Sequence, residues 1–100
     1  MFVHSVYFWL KPELSAGERA QFFVDIQSLR SIAGVRSCYI GKPDASDRPV
    51  IDSSYDCGLI IVFDDKAAAE AYNVDPIHQA FAGPWRTRWT QVKIYDCVEE

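Results

Sequence analysis

Phe2-Val3-His4-Ser5-Val6-Tyr7-Phe8-Trp9-Leu10 is the stretch that decides the fold. Its side chains alternate with a period of two, the signature of a β-strand. His4, Val6, Phe8 and Leu10 fall on one face; Val3, Ser5, Tyr7 and Trp9 fall on the other. Both faces carry large apolar groups, so both need cover. Lys11-Pro12 ends the strand, because proline cannot donate to a sheet ladder.

Working outward, Ser15-Ala16-Gly17-Glu18 matches a capping box and predicts a helix. Phe22, Phe23, Ile26 and Leu29 sit at helical spacing, and the pattern runs to about Ile32. Gly34 is placed to stop it. Val35 to Gly41 reads as a second strand. Lys42 to Ser54 holds two prolines together with Asp44, Asp47, Arg48 and Asp52. It is expected to be a loop or hairpin tip and the most mobile internal segment. Tyr55 to Phe63 is the clearest further strand, with Leu59 to Phe63 apolar on both faces. Asp64-Asp65 supplies an N-cap for an alanine-rich helix over Lys66 to Tyr72. Pro76 is expected to open a short turn carrying His78 and Phe81, broken at Gly83-Pro84. Trp89 to Val98 reads as the last strand, with Glu99-Glu100 as a solvated tail.

The order βαββαβ predicts an α+β, ferredoxin-like fold: a four-stranded antiparallel sheet with both helices on one face. Two helices cover only one side of that sheet. The other side would leave Tyr7 and Trp9 in water, which a soluble monomer avoids. A second copy packed sheet to sheet would bury them, so a homodimer is expected.

A length of 100 residues points to one domain, residues 1–100. The net charge of −4 and a pI near 5.0 argue against nucleic acid as a partner. No basic leader and no bilayer-length apolar run are present, so a cytoplasmic protein without a membrane partner is expected. Cys38, Cys57 and Cys97 are widely spaced in strand-like segments and read as small, reduced, buried hydrophobes. Trp9, Trp85 and Trp89 read as interface or rim aromatics.

Chemistry concentrates in Ala71-Tyr72-Asn73-Val74-Asp75-Pro76-Ile77-His78. A phenol and an imidazole stand six residues apart across a proline. His78 is a candidate general base, and Tyr72 a candidate hydrogen-bond donor to a developing enolate. That pair needs neither metal nor cofactor. The plainer reading makes Tyr72 a core phenol and sets His78 against backbone carbonyls at a helix end. A metal site from His4, His78 and Asp75 or Asp96 lacks the spacing of a ligand motif, so none is expected.

The chain resembles the stress-responsive A/B barrel family, or Dabb proteins, of the dimeric α+β barrel fold. The resemblance rests on an ordered set of segments. They are His4 to Lys11, Ile32-Ala33-Gly34-Val35, Gly41-Lys42, Tyr55-Asp56, then Tyr72, Pro76, His78 and Phe81, and finally Tyr95-Asp96. It extends to olivetolic acid cyclase, a plant polyketide cyclase with a matching Tyr-x-x-x-Pro-x-His segment. What the resemblance implies is a pocket between sheet and helices, with Tyr72 and His78 as the catalytic pair and His4 as a polar lining group. Val6, Phe8 and Phe81 are the expected apolar contacts, and Phe22 and Phe23 the expected wall from the first helix. Asn73-Val74-Asp75 is more polar than an apolar tail pocket needs, so the cyclase's substrate does not carry over. Haem monooxygenases of the wider superfamily place an asparagine on an early strand and a tryptophan in the third. This chain has neither, so haem is not expected. The implied activity is binding, with acid-base conversion, of a small carbonyl or aromatic metabolite. The competing expectation is a non-catalytic, stress-related scaffold.

Overall fold

The computed structural model describes residues 1–100. Strand β1 (Phe2–Leu10) lies inside a four-stranded antiparallel sheet of order β2-β3-β1-β4, with β2 Val35–Gly41, β3 Cys57–Phe63 and β4 Trp89–Val98. Its burial alternates residue by residue, as the sequence pattern requires. Three helices, α1 (Ala16–Asp25), α2 (Lys66–Val74) and α3 (Pro76–Trp85), complete the ferredoxin-like arrangement.

Helix α1 starts at the expected capping box. Ser15 Oγ accepts the Glu18 N–H at 3.1 Å, and Glu18 Oε1 accepts the Ser15 N–H at 2.9 Å. The helix expected to reach Ile32 is α-helical only to Asp25 and tightens into a 3-10 turn over Ile26–Ser31. Three residues per turn explains the change, because it stacks positions three apart on one line. Ile26, Leu29 and Ile32 all point into the core on that line. Gly34 then reverses the chain at φ +90°, where a side chain would also meet Ala68.

The segment from Pro76 is a full ten-residue helix, not a short turn, and Gly83-Pro84 does not break it. Pro84 falls in its last turn and, having no N–H, leaves the carbonyl four residues back without its helical bond. The burial of Phe81, Ala82 and Trp85 holds the turn in place. Trp85 is a core residue and not a rim aromatic; its Nε1 donates to Asp25 Oδ2 at 2.9 Å.

Register assigns the faces. His4 pairs with Asp96 and Ile61, Val6 with Ile94 and Leu59, and Phe8 with Val92 and Cys57, all on the helix side. Val3, Tyr7 and Trp9 share the open side with Ile60, Val62 and Tyr95. There Tyr7 meets Tyr55 edge-on at 4.9 Å, while Tyr95 is 61% exposed. Cys38 and Cys57 are buried as expected; Cys97 is exposed, because it lies on the open side of an edge strand. No helix is long and apolar enough to cross a membrane.

Candidate functional site

A cavity of about 160 Å³ lies between the sheet and the helices. Helix α2 stops at Val74, and Asp75 caps α3 by accepting the Ile77 N–H at 2.8 Å. This break sets Tyr72 on the last turn of one helix and His78 on the first turn of the next. Their rings meet at 4.8 Å, and Tyr72 stands 5.8 Å from His4. His4, Val6, Phe8, Tyr72, His78 and Phe81 all line the cavity.

Phe22 and Phe23 do not wall it. Phe22 is fully buried one layer away, packed on Phe8, Phe81 and Trp85 at 5.0 to 5.7 Å between ring centres. Phe23, one residue on, turns about 100° round the helix. It lines a separate surface groove, with the Lys42 ammonium over its ring. Leu29 from the 3-10 turn and Ala82 from α3 line the cavity instead.

Other groups join the site that the sequence did not single out as cavity residues. Asp96 Oδ1 is 2.6 Å from His4 Nδ1. A carboxylate at that nitrogen accepts its N–H and leaves the lone pair of the neutral ring on Nε2. The signal for this partner was present: Asp96 is a charged residue in the core phase of the last strand. Arg86, which follows α3, lines the exposed end of the cavity together with Asn73 and Ile94. Trp89 closes another side.

The electrostatics divide the roles. Burial is the main cause holding the His78 imidazole below its ordinary value, and His4 and Arg86 add to it. His78 is therefore neutral at pH 7 and able to take a proton. Its Nδ1 is buried without a hydrogen-bond partner. Burial pushes the Tyr72 phenol well above its ordinary value, so it stays protonated and donates. A neutral base and a protonated phenol beside one apolar cavity can move a proton next to a carbonyl group.

The family model for the stress-responsive A/B barrel domain, Dabb, matches residues 2–99. The chain belongs to this family. A Dabb protein with a ferredoxin-like fold from Mesorhizobium loti is 31% identical, with a TM-score of 0.80 over 99% of this chain and 96% of that one. Two more distant structures share the fold with this Dabb chain. A hydroxynitrile lyase from Passiflora edulis is 18% identical, with a TM-score of 0.80 covering 99% and 93% of the two chains. A dimeric ferredoxin-like protein of unknown function from Thermobifida fusca is 15% identical, with a TM-score of 0.80 over 98% and 90%. No curated protein matches the sequence.

Proposed function

We propose that this Dabb chain is a cytoplasmic homodimer that binds a small carbonyl or aromatic metabolite and moves a proton on it. His78 acts as the base, and the Tyr72 hydroxyl donates to the enolate oxygen that forms. The Asp96 carboxylate orients His4 beside them. The observation that carries this reading is the convergence of His4, Tyr72 and His78 on one cavity. Drug-sized ligands occupy roughly 300–1,000 Å³. A cavity of about 160 Å³ therefore suits a compact compound. The dimeric Thermobifida fusca protein, which shares the fold, supports the assembly.

The test is a thermal-shift screen of aromatic and β-keto carbonyl compounds, followed by proton exchange of any hit in D₂O. A ligand must raise the melting temperature, because it binds only the folded state. His78→Ala should slow exchange by about 10²–10⁴-fold, as for loss of a general base. Exchange at the wild-type rate in that variant defeats the catalytic reading.

A second reading, a non-catalytic scaffold, is favoured by the packing of Tyr72, which is 1% exposed among Phe63, His4 and His78. Tyr72→Phe separates the two. It keeps the ring contacts and removes only the hydroxyl, so a scaffold is unaffected and a proton-transfer site is impaired.

A further inference from the structure

Two buried side-chain polar atoms lack a hydrogen-bond partner: His78 Nδ1 and Trp89 Nε1. Both belong to residues that line the cavity. Folded proteins pair the large majority of such atoms, so a coincidence of both at one cavity points to a partner that is not protein. The indole N–H can only donate. What is missing beside Trp89 is therefore an acceptor.

Arg86 adds a charge to this requirement. It takes part in none of the ion pairs of the molecule. Its Nη2 donates to the neutral Gln79 Oε1 at 3.3 Å. A guanidinium cannot shed its proton, and its planar fork matches a carboxylate. The lining contains no aspartate or glutamate to neutralise it. Two carboxylates of the neighbouring elements are engaged elsewhere: Asp75 caps α3, and Asp96 holds His4.

Size completes the picture. An engineered cavity of about 150 Å³ holds benzene, and this one is about 160 Å³. Phe8, Leu29, Leu59 and Phe81 supply an apolar interior for such a ring, while Arg86 stands at the exposed end.

We infer that the cavity selects a carboxylate about one ring in size, with Arg86 binding the charge and the Trp89 N–H a ligand oxygen. This rests on the reading of the cavity as a carbonyl-binding site and narrows it to anionic acyl compounds. Arg86 and Trp89 are then specificity residues, distinct in role from His78 and Tyr72.

Benzoate and benzamide are the probes, since they share a shape and differ in charge. Both are titrated calorimetrically into the intact protein and its variants. Benzoate should bind the wild type about tenfold or more tightly than benzamide, the ratio expected of a charged hydrogen bond. Arg86→Gln should abolish that preference and leave benzamide within about twofold. Trp89→Phe should weaken both, because the amide oxygen also accepts. Equal binding of benzoate and benzamide by the wild type overturns the inference without any variant. It leaves the carbonyl-binding reading standing. Undiminished benzoate binding by Arg86→Gln overturns it in the same way. Failure of both probes to bind at millimolar concentration sinks the inference together with the reading it rests on.

Discussion

At the residue scale, the most telling side chain is His78, because its burial fixes both its chemistry and its pH response. Its imidazole is held below the free value of 6.5, chiefly by burial. The unfolded chain therefore takes up this proton first as pH falls. The contribution of His78 to stability is complete above about pH 6.5 and is lost on the acid side. Denaturant unfolding of the wild type and His78→Gln at pH 7.5 and pH 5 should show a gap that changes with pH, the wild type losing more on acidification. If His78 is the base, kcat/KM should rise with pH through an apparent pKa below 6.5 and then level off. Phe22 and Phe23 make a second pair of predictions. Phe22→Ala should cost about 3–5 kcal/mol, as for a fully buried aromatic. Phe23→Ala should cost much less, because its ring lies in a surface groove. The sequence placed His4, Tyr72 and His78 at one site because strand phase and a helix break are local signals. Asp96 carries a local signal in its strand phase, but its pairing with His4 lies 92 residues away, and the relevance of Arg86 depends on how one helix ends.

At the element scale, local rules were right about where segments begin and less reliable about where they stop. The capping box, the last strand and Asp65 as an N-cap all stand where the sequence put them. Gly83-Pro84 misled because breaker residues report propensity, while the fate of α3 was settled by burial of Phe81, Ala82 and Trp85. The 3-10 segment was hidden for a related reason: apolar residues at 26, 29 and 32 fit either helix type until the sheet imposes its geometry. Gly34 carries the prediction for this scale. Its φ of +90° is strained for any side chain, and a Cβ there would stand 3.3 Å from Ala68 Cβ. Gly34→Ala should destabilise by about 1–2 kcal/mol in urea unfolding. Ala68→Gly should not rescue it, since relieving the contact leaves the backbone strain.

At the scale of the whole molecule, the sheet is finished on one side only. Val3, Tyr7, Trp9, Ile60 and Val62 lie on a face that no helix covers. The sequence exposed this imbalance directly, because two helices cannot roof two faces. It could not show which cavity residues the roof would leave open. Multi-angle light scattering should find a dimer at micromolar concentration; a monomer would refute the assembly. Trp9→Glu should shift it to monomer or unfold it, by setting an unpaired charge in a dry contact. The two surfaces of β1 also constrain how such a protein can change over generations. Each point substitution in Phe2–Leu10 touches either the cavity side or the open side and spares the other. Adding or deleting one residue mid-strand exchanges the faces of everything beyond it. His4 and Val6 would trade places with Ser5 and Tyr7, and both surfaces would fail in one step. Lineages carrying this strand can drift in letters but not in length. A deep mutational scan should therefore find single-residue insertions in β1 more damaging than single substitutions there.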